Sequence, residues 1–318
     1  MVGKINGNFI GKDIISLDQF SPKDLKILFH HTLKMKKIAS TASASKILSG
    51  NIVTLLFYEP SSRTFGSFSA AIKQLGGQTI EIINPQKFSS VAKGETFEDT
   101  IRVFEAYSDT IVLRHPQVGS AQKAADVAFF VPIISAGDGI GEHPTQALLD
   151  LYTIYEKFKR LDNLKFLFAG DILYGRTVHS LLRGLSLFKN NAVFLLSPKQ
   201  LKLSRKDLEY FSKKINLIEI DKEKGVPKNA DVWYWTRIQK ERFGNKSLYL
   251  KVKNKYILTP KLVNKYAGRN TLIMHPLPRI NEIEKDVDDD PRAVYLRSQI
   301  RNGMYVRMAL LGLVLGKI

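Results

Sequence analysis

Apolar residues fall into stretches of two lengths along this chain. Short, mainly apolar runs at 51–57, 78–83, 110–113, 131–135, 164–169, 192–196, 231–235 and 271–274 are bounded by polar and glycine-containing segments, and read as strands. Between them lie longer stretches with helical spacing, such as 65–75, which Gly76-Gly77 would stop, and 143–158 at mid-chain. Strands alternating with helices predict an α/β fold of two doubly wound domains with parallel sheets. The helix over 143–158 joins them. A long helix over 291–315, with Ile300, Met304, Met308 and Leu311 on one face, returns from the second domain to the first. At 1.5 Å per residue it would span roughly 37 Å. The predicted domains are 1–141, completed by 291–318, and 142–290. No flexible linker or internal repeat interrupts them, the acidic stretch 282–290 predicts an exposed turn, and the only low-complexity patch is 40–45.

Composition narrows the chemistry. With 318 residues, 44% of them hydrophobic, the chain has ample core without a disulfide or metal staple, and the absence of cysteine removes thiol nucleophiles, zinc-thiolate sites and redox motifs. The N-terminus lacks the apolar stretch of a signal peptide and no run reaches membrane-spanning length, so a cytoplasmic protein is expected, without membrane contact. The net charge is +18, and residues 151–270 carry 26 basic against 10 acidic side chains, or +16 of it. Such a field suits anionic partners, although lysines scattered along helices also make an ordinary solvated face. No aromatic-basic interleaving, helix-turn-helix or zinc-finger spacing supports nucleic-acid binding.

In open parallel sheets, ligands bind beyond the carboxyl ends of the strands, so the loops there should carry the chemistry. Tyr58-Glu-Pro-Ser-Ser-Arg-Thr-Phe65 leaves a strand and enters a helix. Backbone N–H groups converge at such a helix start, and Ser61, Ser62, Arg63 and Thr64 add hydroxyl and guanidinium donors suited to a phosphate. A plain serine cap with a surface arginine is the simpler reading of the segment taken alone, and the anion cradle needs the other strand ends beside it. Arg114, His143 and Gln146 follow two further strands. Gly170 to His179, Trp235 to Gln239 and Met274 to Arg279 repeat the placement, and six polar strand ends exceed what packing explains.

At these residues the chain resembles the aspartate/ornithine carbamoyltransferase family, nearly end to end. Ser61-Ser62-Arg63-Thr64 is similar to the family's Ser-Thr-Arg-Thr. Arg114-His-Pro, His143-Pro-Thr-Gln146, Tyr174-Gly-Arg-Thr-Val-His-Ser180, Thr236-Arg-Ile-Gln-Lys-Glu-Arg242 and His275-Pro-Leu-Pro-Arg279 follow in the family's order. The resemblance implies transfer of the carbamoyl group of carbamoyl phosphate to an amine, with no metal or other cofactor. It implies that Ser61, Ser62, Arg63, Thr64 and Arg114 hold the phosphate, that His143 and Gln146 approach the carbamoyl end, and that Arg176, Arg237 and Gln239 bind L-aspartate. Pro276 and Leu277 match the turn whose carbonyls receive the carbamoyl NH2 and the attacking amine, which puts Leu277 beside both substrates. Ser89 and Lys93 match a loop that reaches into a neighbouring subunit's site, implying a homotrimer with shared sites and leaving room for regulatory chains.

The implied chemistry is coherent. A neutral amine attacks a carbonyl carbon, the oxygen takes up negative charge, and phosphate leaves as the natural acceptor of the amine's proton. Thr64, Arg114 and His143 would stabilise the oxyanion, and Arg63 and Lys93 the departing phosphate. An ornithine-using relative is the nearest alternative, but its Ser-Met-Gly loop is absent, its His-Cys-Leu-Pro is His275-Pro-Leu-Pro here, and Arg237 suits a dicarboxylate better than a cationic amino acid. A silent scaffold should have lost part of the anion-binding set, and a nucleic-acid binder should hold duplex DNA with a steep salt dependence. The chain departs from the family at Ser62, Phe65-Gly66 and Glu142, which bears on rate and affinity rather than reaction class.

Overall fold

The computed structural model describes residues 3–41, 45–240, 243 and 246–318, so Glu241 and Arg242 of one quoted motif and residues 42–44 of the 40–45 patch lie outside the described residues. The chain forms two compact units, 1–149 with 301–318, and 150–300.

In the first unit, β1 (Ile52–Phe57), β2 (Gln78–Ile83), β3 (Thr110–His115) and β4 (Ile133–Asp138) form a parallel sheet in the order β2-β1-β3-β4. Five of the six residues of β1 are buried, as an interior parallel strand requires, while edge strand β2 is only partly covered. Ile14 pairs with Ile134, so the N-terminal segment covers the β4 edge. The chain runs outward from β1 to β2 in one direction and from β3 to β4 in the other. The switch point therefore lies between β1 and β3, at the loops that carry Glu59 to Ser61 and Arg114.

The second unit holds β5 (Lys165–Ala169), β6 (Ala192–Leu196), β7 (Asn216–Ile220), β8 (Val232–Trp235) and β9 (Leu272–Met274), again parallel, in the order β7-β6-β5-β8-β9. Its switch point is between β5 and β8, at the loops leading to Arg176 and to Arg237 and Gln239. Trp233, Trp235, Leu167 and Ile273 fill one side of this sheet with Tyr295 and Leu258.

Three expectations are corrected. The units divide at Leu149/Asp150 and Ile300/Arg301, not at 141/142 and 290/291, so Glu142 and His143 belong to the first unit. The reason is local: Asp138 N bonds to Glu142 O, tying this turn back to β4 before the helix Pro144–Phe158 departs. The last helix is Ser298–Val314 rather than 291–315, because Ile273 N bonds to Arg292 O and Val294 N to Ile273 O, which hold 292–294 extended beside β9. Ile300 is exposed while Met308 and Leu311 are buried, so the predicted apolar face is uncovered at its first turn. The acidic stretch is not simply exposed either: Glu282 and Val287 are buried, and Lys285–Asp289 forms a 3-10 turn. Edge strand β7 was not anticipated.

Candidate active site

In the first unit the helix Ser62–Gln74 starts at the switch point with Ser61 as its N-cap. The capping alternative is not realised, since Ser61 makes no side-chain cap bond and no acidic residue occupies the first turn. Ser62 and Arg63 are exposed, Ser61 is partly buried, and Thr64 is buried with its hydroxyl 3.5 Å from Nε2 of buried His143. The helix start thus keeps its positive end open to an anion. Arg114, also buried, donates from Nη1 to Ala136 O at 3.0 Å and pairs through Nη2 with Glu59 at 2.7 Å. Gly137 sits between these groups with φ +123°, and a Cβ there would lie 2.7 Å from Arg114 Nη1 and 3.6 Å from His143 Cδ2. Only glycine combines that backbone with that closeness. Gln146 is partly buried one turn into the helix, its N–H bonded to His143 O.

The departures from the family have local explanations. Phe65 packs edge-on against Phe57, at 5.3 Å between ring centroids, so an aromatic contact stands where the family carries a charge. Glu142 accepts from Ser16 Oγ at 2.7 Å and Leu17 N at 3.2 Å, which turns its carboxylate toward the N-terminal segment.

Ser89 and Lys93 are not gathered with this group. Ser89 donates to Pro85 O and caps the 3-10 turn Ser90–Lys93, Lys93 is exposed, and Phe88, in the helical turn before it, is 79% exposed.

In the second unit, Asp171 draws the two loops together. Its carboxylate accepts from Tyr174 N at 2.9 Å and Gln239 N at 3.4 Å, and its own N–H donates to Thr236 Oγ1. Burial pushes the Asp171 carboxyl up to about 6, against the opposing pull of these hydrogen bonds and of Arg237. Gly170, with φ +110°, lies so close to Thr236 that a Cβ would meet its carbonyl oxygen at 2.1 Å. Arg176 opens the helix Arg176–Leu185 and is partly buried, as is Arg237. Gln239 spends its side-chain amide on Tyr174 O at 3.0 Å, bracing the loop that precedes Arg176.

Pro276 and Leu277 follow β9, Leu277 with φ +54° and a cis bond to Pro278. Leu277 N donates to Nδ1 of His275, so the ring proton sits on Nε2, which donates to Glu282 at 2.9 Å. Burial keeps His275 below its usual range. Burial alone would raise Glu282, but its bond to His275 and its other hydrogen bonds bring it below the usual carboxylate range, giving a neutral ring on an ionised acid.

Sequence reasoning passed over Glu59, Gly137, Asp171 and Glu282 as contributors. Glu59 and Asp171 stood inside quoted segments and Glu282 inside the acidic stretch, but Glu59 pairs with Arg114 and Asp171 with Gln239, both distant in sequence.

Residues 12–156 match the family model of the carbamoyl-P binding domain of aspartate/ornithine carbamoyltransferases, and 162–314 the model of their Asp/Orn binding domain. A pea protein named aspartate carbamoyltransferase 1, chloroplastic, is 46% identical over 305 residues, spanning 95% of this chain and 78% of its own length. The solved catalytic subunit of Methanocaldococcus jannaschii aspartate transcarbamoylase is 45% identical, with 94% of this chain and 96% of that one covered and a TM-score of 0.87. A Trypanosoma cruzi aspartate transcarbamoylase solved with carbamoyl phosphate and aspartate reaches a TM-score of 0.90 at 38% identity, over 99% of this chain and 100% of that one. With both units matched by family models and relatives this similar along almost its full length, the chain belongs to the aspartate/ornithine carbamoyltransferase family.

Proposed function

We propose that this chain transfers the carbamoyl group of carbamoyl phosphate to the amino group of L-aspartate, giving N-carbamoyl-L-aspartate and phosphate, an early step of pyrimidine synthesis. The observation that carries the reading is the collection of anion-binding groups at both switch points: the open helix start with Thr64, His143 and Arg114 in one unit, Arg176 and Arg237 in the other. The first set suits a phosphate with an adjoining carbonyl. Two guanidinium groups suit a dicarboxylate and would repel the side chain of ornithine.

In this reading Ser61, Ser62 and Arg63 hold the phosphate with the helix N–H groups, and Thr64, Arg114 and His143 face the carbonyl oxygen as it gains charge. Gln146 adds a donor at the carbamoyl end. Arg176 and Arg237 clamp the aspartate carboxylates, which leaves the amine as the free nucleophile, while the carbonyls of Pro276 and Leu277 orient the amine and the carbamoyl NH2. Departing phosphate takes the proton released by the amine, so no side-chain nucleophile is needed.

The reading includes a homotrimer in which Ser89 and Lys93 complete a neighbour's site. Its support is the exposure of Lys93 and of neighbouring Phe88, groups that a monomer would leave in water. No helix among the described residues is long and apolar enough to cross a membrane. We take the cytoplasm as the setting, and imaging a tagged chain in cells would separate it from the organelle in the pea relative's name.

The decisive experiment compares product formation with aspartate and with ornithine at equal carbamoyl phosphate. Carbamoyl-aspartate is expected; faster carbamoylation of ornithine overturns the proposal. A bisubstrate mimic joining a phosphonate to aspartate should bind far more tightly than either substrate, because it engages both half-sites with one loss of translational freedom.

A further inference from the structure

The loop between β5 and the helix Arg176–Leu185 delivers Arg176, and its path is set by hydrogen bonds from several directions. Ile172 N and Leu173 N both donate to Leu201 O, at 3.2 and 2.9 Å, and Tyr174 N donates to Asp171. Gly175 is pressed against the loop itself, for a Cβ there would meet Asp171 O at 2.3 Å. These contacts leave the carbonyl of fully buried Ile172 to be satisfied, and its partner comes from the helix that follows: His179 Nε2 lies 2.9 Å from Ile172 O. A carbonyl only accepts, so Nε2 carries the proton and His179 is the donor. His179 stands three residues after Arg176, in the same first turn, so its bond brackets the segment that contains the arginine.

We infer that His179 is a positioning residue for the aspartate half-site: its ring N–H holds the Ile172 carbonyl and thereby fixes the loop that carries Arg176. The role rests on the aspartate reading above. Without the donor, a buried carbonyl loses its partner and the loop must shift until water or another group reaches it, which displaces a guanidinium that has to match a carboxylate in both distance and orientation. The carbamoyl phosphate half-site lies in the other unit and shares none of these bonds, so the defect is selective.

The test compares the unaltered chain with H179Q, whose amide N–H reaches about as far as Nε2, and H179M, which fills similar space without a donor. The KM for aspartate should rise about tenfold or more in H179M and stay within about threefold in H179Q, with carbamoyl phosphate affinity by calorimetry unchanged in both. H179N, polar but one bond short of the carbonyl, replaces H179M if the latter does not fold. The inference is overturned if H179M, or H179N in its place, keeps its aspartate KM, if H179Q is as impaired, if carbamoyl phosphate affinity falls in parallel, or if neither H179M nor H179N folds, since the ring is then a packing element. Failure of the aspartate reading is distinct: the unaltered chain would itself not carbamoylate aspartate.

Discussion

Glu59 Oε2 lies 2.7 Å from Nη2 of Arg114, so the arginine proposed to act on carbamoyl phosphate already has an anionic partner in its own unit. The Arg114 side chain is 7% exposed and that of Glu59 29%, which places the pair between a buried and a surface ion pair in strength. An incoming phosphate competes with that carboxylate. Glu59→Gln should therefore tighten carbamoyl phosphate binding about three- to tenfold in calorimetry without aspartate present, equivalent to roughly 1 kcal/mol. Unchanged or weaker binding would show that Glu59 supports the arginine instead of competing for it.

Gly137→Ala is expected to damage the same half-site by geometry alone. The residue combines φ +123° with a Cβ position 2.7 Å from Arg114 Nη1, so both the backbone and the guanidinium must move. Denaturant unfolding should show a loss of about 2 kcal/mol or more, and carbamoyl phosphate binding should fall with it. Full retention of that binding would mean that Arg114 does not need its present position.

Arg63→Ala and Arg237→Ala should fail in different ways. Loss of a charge-assisted contact to a substrate costs roughly 2–5 kcal/mol, and each 1.4 kcal/mol is about tenfold. Arg237→Ala is expected to cripple aspartate use while carbamoyl phosphate binding stays measurable, and Arg63→Ala to weaken carbamoyl phosphate first. The reverse pattern would exchange the roles assigned to the two units.

Asp171 should impose an acid limb on the reaction. As pH falls through about 6 its carboxylate is protonated and the acceptor shared by Tyr174 N and Gln239 N is weakened, so kcat/KM for aspartate should drop there. Stability runs the other way. A carboxyl raised in the folded state from 3.8 to about 6 stabilises the fold most below pH 4, and that contribution, about 3 kcal/mol, is lost as pH rises through 6. Asp171→Asn should lower kcat/KM at neutral pH and lose this limb. If the limb persists in the variant, another group owns it.

The shared site is tested by complementation. Lys93→Ala and Arg114→Ala are each expected to be nearly inactive. In a mixed cyclic trimer one interface brings an intact Lys93 loop to an intact Arg114 site, so activity should return to about one site in three. Mixed trimers verified by mass that gain nothing over either parent would confine each site to one chain.

Eight of the nine strands among the described residues were legible, most of them as short apolar runs because interior parallel strands are buried on both faces, and edge strand β2 by its bounds at Gly77 and Asn84-Pro85. β7 escaped notice because Asn216 and Glu219 face solvent and Leu217, Ile218 and Ile220 are only partly buried, a pattern that also continues the preceding helix. The stretch 292–294 looked helical because its extended form is imposed by backbone bonds to Ile273, about twenty residues earlier, which no local pattern reveals. The same distance hid the polar hubs. Arg114, Arg176 and Arg237 announce themselves by charge at strand ends, but the work of Asp171 depends on an N–H 68 residues further on, which no local pattern marks.

The first unit is completed by the end of the chain. Arg307 reaches Ser67 across 240 residues at 2.8 Å, and Gly11 N bonds to Val314 O. On the ribosome, at about 5–20 residues per second, the sheet that would cradle carbamoyl phosphate waits roughly ten to thirty-five seconds for its closing helix. The five strands of the second unit, consecutive in sequence, are all synthesised before that helix emerges. The unit whose sheet is synthesised earlier is thus finished after the other, and a stop codon within 301–314 would strike it while every strand of the second unit is left whole.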